Sequence, residues 1–267
     1  MKVDIWNMNG TKGGEVELPP VFATVIEPEL IKRAVLSMES AKKQPKGTDS
    51  MTGRNNTARY RGRRDLPTHE RNINVGRARL PRSSERRTRA QGRVLGVPRA
   101  VGGPKAHPLK AEEVIFEKIN RKERQKALAS AIAATADKKL VGARHAIDEK
   151  LKFPIIIEDA FSNVKKTQVV VETMAKLHLD NDLDNAKAKR RIRAGKGKRR
   201  GRVHKIKKSL LIVTEKASPI YRAARNLPGV DVCPVAELNT GLLAPGALPG
   251  RLTLWTQGAI KALENKG

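Results

Sequence analysis

The sequence predicts an α/β fold: a single globular body with a mostly parallel sheet covered by helices, interrupted by a long extended internal loop. Three observations carry this. Short apolar runs alternate with helical patterns, as strands buried on both faces require. Hydrophobic residues make up 39% of the 267-residue chain although aromatics supply only 3%, so the core must be built from Val, Ile, Leu and Ala. The formal net charge of +28 is concentrated: residues 42–110 hold 19 Lys and Arg against 4 Asp and Glu, residues 187–208 hold 13 against none, and the rest is close to neutral. Residues 1–41 and 111–267 therefore read as the body, 42–110 as an extended basic loop, and 187–208 as a basic insertion within the body.

Val3, Ile5 and Met8 alternate, break at Asn9-Gly10 and Gly13-Gly14, and resume at Val16 and Leu18, which predicts a hairpin. From Pro28, the residues Leu30, Ile31, Ala34, Val35 and Met38 recur at helical spacing to about Ala41, with proline at a fitting first position. Residues 42–110 then lose all periodicity and are punctuated by Gly and Pro. Such a stretch cannot bury enough surface to offset an ordering cost of ~1–2 kcal/mol per residue, so in isolation it should be disordered. Run out and back, it could reach up to ~100 Å at about 3.3–3.6 Å per residue.

Periodicity returns after Ala111. Val114, Ile115, Ile119, Ala127, Leu128, Ala131 and Ile132 predict one long helix, with Glu112-Glu113 suited to its N-terminus. Ile155-Ile156-Ile157 reads as a buried strand, residues 167–179 as a helix with Val170, Val171, Met174 and Leu177 inward, and Leu210-Leu211-Ile212-Val213 as a second strand. Ser218-Pro219 opens a helix that stops near Gly229; strands at 230–232 and 252–255 and a last helix follow.

The chemistry of common enzymes is missing. Lys12-Gly13-Gly14-Glu15 begins like a phosphate loop, but no Gly-Lys-Ser/Thr follows and Glu15 and Glu17 would repel phosphate. No Gly-x-Gly-x-x-Gly follows the strand at Ile155 or at Leu210, so no cofactor is expected, and a methyltransferase reading lacks its glycine-rich cofactor loop. His69, His107, His145, His178 and His204 are scattered without metal-ligand spacing and read as surface positions or RNA contacts. The Asp180, Asp182 and Asp184 cluster reads as balancing the adjacent cationic insertion, and no metal is expected. The lone Cys233 follows a predicted strand and reads as a small core hydrophobe; it permits no internal disulfide. Trp6 and Trp255 fall on predicted strands and read as core. With no signal-like apolar stretch at the start and no run of ~20 apolar residues, the chain reads as cytoplasmic, with no membrane partner.

The two cationic segments point to a polyanion. Arginine dominates between Arg54 and Arg99, and a planar guanidinium grips phosphate bidentately and stacks on bases, which suits structured RNA. The candidate RNA-binding residues of the loop are Arg54, Arg59, Arg61, Arg63, Arg64, Arg77, Arg79, Arg82, Arg86, Arg87, Arg89, Arg93 and Arg99, with Lys105 and His107. Tyr60, between Arg59 and Arg61, is open between stacking on a nucleobase and an ordinary loop position. In the insertion the candidates are Arg190, Arg191, Arg193, Lys196, Lys198, Arg199, Arg200 and Arg202, where glycines let the backbone approach a phosphate chain. A nucleoid protein packing DNA is the other binding class, but a loop inserted in mid-domain favours a partner with an interior to enter.

Specific blocks also resemble a known family. They are Gly14-Glu15-Val16 with Leu18-Pro19-Pro20-Val21-Phe22, then Arg121-Lys122-Glu123-Arg124 leading to Ala131-Ile132-Ala133-Ala134-Thr135-Ala136. Residues 193–198, Ala224-Arg225-Asn226-Leu227-Pro228-Gly229, Leu242-Leu243-Ala244-Pro245-Gly246, Gly250-Arg251-Leu252 and Trp255-Thr256 follow in order. Together they resemble the large-subunit ribosomal protein four family, in its archaeal and eukaryotic branch, and Gly102-Gly103-Pro104-Lys105-Ala106-His107-Pro108 gives an archaeal type. The resemblance implies a structural protein without enzymatic activity. Its partners would be 23S-type rRNA, neighbouring large-subunit proteins and, at the loop tip, the nascent peptide in the exit tunnel. Within the loop, Arg77, Arg79, Arg82, Arg86, Arg87, Arg89 and Arg93 are the candidates for the tunnel wall.

Overall fold

The protein is described from a computed structural model, which covers residues 2–83, 91–148 and 151–264. The chain divides into two units, Met1–Lys42 with Glu117–Gly267 and Lys43–Phe116.

The first unit is a six-stranded sheet with helices on both faces. Its strands are β1 (Lys2–Trp6), β2 (Lys12–Glu17), β3 (Ile155–Ile157), β6 (Leu211–Thr214), β7 (Asp231–Pro234) and β8 (Thr253–Thr256), while β4 (Arg191–Ile192) and β5 (His204–Lys205) form a separate two-stranded ribbon. The sheet order is β2-β1-β3-β8-β6-β7, and every pairing is parallel except β1 with β2. Gly13 and Gly14, expected at a break, instead lie within β2, where Gly14 faces Ile5 and a bulge shifts the register between Ile5 and Trp6. The turn itself is made at Asn7 to Thr11, where Asn7 N donates to Thr11 O at 2.8 Å.

Strand pleating sends consecutive side chains to opposite cores. On β3, Ile155 and Ile157 join one core and Ile156 the other; on β6, Ile212 joins the first while Leu211 and Val213 join the second. The first core is roofed by α3 (Lys138–Gly142), α4 (Thr167–Lys176), α5 (Asp180–Ala188) and α6 (Ile220–Ala224) through Val141, Val170, Met174, Leu183 and Ile220. On the other face, α1 (Pro28–Ala41), α2 (Arg121–Ala133), α7 (Thr240–Leu243) and α8 (Gln257–Glu264) supply Ile31, Val35, Ile132, Leu243 and Ile260 around Trp255, whose ring meets Phe22 edge-on at 5.4 Å. Each such aliphatic burial stabilises by about 1.5–3 kcal/mol, which explains how a chain poor in aromatics holds a two-sided core. Trp255 and Cys233 are buried as expected, and Trp6 packs against the first core.

Several expected helices are shorter. The long helix expected after Ala111 begins only at Arg121, because Glu123 turns back to accept from Asn120 N at 3.3 Å and closes a capping box. Val114 and Phe116 are exposed, and Glu112-Glu113 lie in a turn rather than at a helix start. The helix at Thr167 stops at Lys176 because His178 adopts φ +57°, after which α5 starts afresh. The helix after Pro219 ends at Ala224, five residues before Gly229. Gly229 has φ +75°, and a Cβ there would stand 2.2 Å from Lys207 O, so this position admits only glycine without rearrangement.

The second unit, Lys43–Phe116, contains no regular element among the described residues, only turns and the isolated bridges Arg59 with Arg82 and Arg82 with Val94. Its base is closed where Thr48 N donates to Leu109 O at 3.0 Å. Asn72 is its hub: buried, it donates from Nδ2 to Arg59 O at 3.1 Å and Leu80 O at 2.8 Å, and from its backbone N to Arg61 O at 2.9 Å.

Candidate nucleic-acid interface

The insertion between α5 and β6 folds into a short ribbon instead of a solvated helix. Arg191 pairs with Lys205 and Ile192 with His204, and the tip is a tight helical turn over Lys196–Arg200 that Gly201 ends in the left-handed region at φ +79°. Arg193 is the staple. Its Nε donates to Arg202 O at 3.2 Å and its Nη2 to His204 O at 3.3 Å, while its backbone N donates to Val203 O at 2.8 Å. The structure therefore gives Arg193 a role in shaping the ribbon, half-buried, whereas Arg190, Arg191, Lys196, Lys198, Arg199, Arg200 and Arg202 stand exposed around it. None of these seven exposed side chains forms an ion pair among the described residues, so their charge is uncompensated locally.

A buried polar cluster ties this ribbon to the amino-terminal edge of the sheet. Asp182 on α5 is fully buried and accepts from Lys207 Nζ at 2.8 Å, Ser209 Oγ at 2.5 Å, Ala146 N at 3.2 Å and His145 at 2.9 Å. Burial pushes this carboxyl up, but the His145 and Lys207 contacts outweigh it and hold Asp182 well below the usual carboxylate range. Next to it, the fully buried Arg251 donates to Ser209 O, Leu242 O, Leu210 O and Gly229 O and pairs with Asp231 at 2.6 Å, while Lys208 reaches Asp231 at 2.8 Å. Lys207 and Lys208, the last two cations of the segment, thus serve as anchors, Lys207 largely buried on Asp182 and Lys208 exposed on Asp231. Of the expected acidic cluster, only Asp182 pairs with the insertion among the described residues, whereas Asp180 and Asp184 are exposed.

His145 departs from the expected surface or RNA-contact position. Its side chain is wholly buried, and its Nε2 has no partner among the described residues. With Nδ1 donating to Asp182, protonation would place an N–H on Nε2 in a site without an acceptor. Desolvation accordingly lowers its pKa below the ordinary value, and the ring is neutral at pH 7. Nothing in local spacing signals this; its partner lies 37 residues away.

In the second unit, Arg59, Arg61, Arg77 and Arg82 converge on one concavity, joined by Arg71, which sequence reasoning passed over although it belongs to the same charge run. Arg54, Arg59, Tyr60, Arg63, Arg64, Arg77, Arg79, Arg93, Arg99, Lys105 and His107 are exposed. Others are partly spoken for. Arg82 donates to Gly92 O at 3.0 Å and Ala78 O at 3.2 Å, Arg61 pairs with Glu70 at 3.3 Å, and Arg63 forks onto Asp65 at 2.6 and 3.2 Å. Arg86, Arg87 and Arg89 lie outside the described residues. Among the described residues, no group of His, Cys, Asp and Glu is placed to hold a metal ion, and no helix is long and apolar enough to cross a membrane.

At the carboxyl ends of the parallel strands, where doubly wound sheets place nucleotides, Glu158 accepts from Met8 N and Asp159 from Gly258 N. These carboxylates occupy the backbone donors that a phosphate would need.

Comparison with known proteins agrees with this arrangement. Residues 16–266 match the Ribosomal protein L4/L1 family. The chain is 43% identical over 267 residues to the large ribosomal subunit protein uL4 of Methanococcus aeolicus, covering all of both chains. It is 42% identical to that of Methanocaldococcus jannaschii over 266 residues, covering 100% and 99%, and 43% identical to that of Archaeoglobus fulgidus over 263 residues, covering 98% of each. The chain belongs to the ribosomal protein L4/L1 family.

Proposed function

We propose that this protein is a structural, non-enzymatic component of an archaeal large ribosomal subunit in the cytoplasm, where it binds 23S-type rRNA. The observation that carries the reading is the ribbon: seven exposed cations around a glycine-bounded turn, without an acidic residue in the segment and anchored rigidly by Asp182. The body docks on folded rRNA, and the ribbon and the 42–110 segment neutralise phosphates where RNA helices crowd, releasing condensed counterions. Phosphate contacts position the protein, and RNA shape supplies specificity. The 42–110 segment, with arginines 77–93, extends toward the nascent-peptide exit tunnel and abuts neighbouring large-subunit proteins. No cofactor takes part.

The test is co-sedimentation with large ribosomal subunits across a salt series, comparing the full chain with a variant in which residues 46–106 are replaced by a short Gly-Ser linker. The full chain should co-sediment stably, and the variant should leave at lower salt. Absence of co-sedimentation by the full chain would overturn the reading.

A further inference from the structure

The body carries a second feature suited to RNA, outside both cationic segments. Tyr221, on α6, is 49% exposed. The Arg225 guanidinium lies over its ring, 5.9 Å from the centroid. Beside the ring is a hollow lined by Lys165, Ala217, Ser218, Pro219, Tyr221 and Arg222. It follows the carboxyl end of β6, the edge at which parallel sheets generally receive ligands.

Its chemistry is specific. Lys165 and Arg222 are exposed and form no ion pair among the described residues; the nearby carboxylate of Glu215 is engaged by Lys216 at 3.4 Å. Ser218 also lines the hollow, with its Oγ shielded from solvent and without a hydrogen-bond partner among the described residues. An aromatic face and two unpaired cations together match two parts of a nucleotide, its base and its phosphate.

We infer that this hollow captures an unpaired nucleotide of the bound rRNA, its base stacked on Tyr221 and its phosphate held by Arg222 and Lys165. Arg225 occupies one face of the ring, so a base on the other completes a guanidinium–tyrosine–base stack. The inference rests on the proposed rRNA binding and adds a position at which a single base, and not only backbone shape, is read.

The test uses the full chain and purified archaeal 23S rRNA in filter binding over a salt series, with folding of each variant checked by circular dichroism melting. Tyr221→Ala should weaken binding on the order of 5- to 100-fold with an unchanged salt slope, because stacking releases no counterion. Tyr221→Phe should stay within about twofold of the unaltered chain, since it keeps the ring face. Arg222→Gln should reduce the slope by about 0.7, the value for one phosphate on a single strand. Ultraviolet cross-linking should attach a nucleotide within the peptide containing Tyr221. Unchanged affinity in Tyr221→Ala, alongside normal binding by the unaltered chain, overturns the nucleotide site alone. Failure of the unaltered chain to bind 23S rRNA overturns the ribosomal reading itself.

Discussion

The imidazole of His145 and the carboxylate of Asp182 meet at 2.9 Å with both side chains fully buried. The pair gives stability an acid dependence in two stages. His145 titrates lower in the folded chain than the ordinary histidine value of 6.5, so below that pH the unfolded chain binds the extra proton first and folding weakens as pH falls. Asp182 and Asp231 are also held low, so their contribution is complete above 3.8 and is lost as pH falls through their folded values. Urea unfolding between roughly pH 2 and 8 should show stability declining from about pH 6.5 downward and again below 3.8. His145→Gln should flatten the upper stage while leaving the lower one; an unchanged upper slope in that variant contradicts the assignment.

Removing the carboxylate should cost more than removing any one of its donors. Asp182→Asn leaves Lys207, Ser209, His145 and Ala146 directed at an amide with half the acceptor capacity and no charge. A loss of about 3–5 kcal/mol follows from breaking a buried pair in this way. Lys207→Met should cost about 1–2 kcal/mol, since Lys207 is 20% exposed and three donors to Asp182 survive. Denaturant midpoints with unchanged m-values would check both.

Arg251 cannot be replaced by lysine. Its three nitrogens reach four backbone carbonyls and Asp231 from a fully buried position, a pattern that needs the planar fork. Arg251→Lys should destabilise by about 3 kcal/mol and Arg251→Met by at least as much, because each breaks up the guanidinium's bonds to Ser209 O and Leu242 O and leaves Asp231 to Lys208 alone. Equal stability of the lysine variant, measured by chemical unfolding, would show that the fork is dispensable.

The tip of the ribbon should contribute to RNA affinity and nothing to folding. Lys196, Arg199 and Arg200 are exposed and carry no intramolecular ion pair among the described residues. Changing all three to Gln should leave the melting temperature unchanged and lower the slope of log affinity against log salt by about 2–3. The same triple change at buried anchors would instead unfold the edge of the sheet, so the melting curve separates the two roles.

Much of this was legible in the sequence because the signals were local. The continuous apolar runs at Ile155-Ile156-Ile157 and Leu210-Leu211-Ile212-Val213 located the central strands, and the absence of acidic residues across 187–208 marked out the segment that carries the ribbon. What stayed hidden depends on pairs distant in sequence. Arg193 and Lys207 look like any other cation of their run, yet one staples the ribbon and the other seats on Asp182, and only the fold separates them from exposed neighbours. His145 was misplaced for the same reason. The capping box at Asn120 and Glu123 was the one local signal available to shorten the helix after Ala111, since a carboxylate three residues past an Asn marks a helix start.

Excising residues 46–106 should leave the body folded, because the chain is pinned where it leaves and returns. Ser37 Oγ donates to Glu117 O at 2.6 Å, and Glu117 N donates to Ser40 Oγ at 3.0 Å, so one turn of α1 holds the returning strand on both its backbone groups. Neither serine belongs to the excised segment, and Ser40 is itself fixed by donating to Ser37 O at 2.6 Å. Closing a connection of a few residues in place of about sixty should, if anything, stabilise the body by up to ~2 kcal/mol, at about 0.6 kcal/mol per halving of length. In the excised background, Ser37→Ala with Ser40→Ala should then cost about 1–3 kcal/mol, because the backbone groups of Glu117 lose both partners. Thermal and urea unfolding of the four chains, intact and excised with and without the serines, measures this directly; a body that unfolds on excision alone would mean that the 46–106 segment supports the fold.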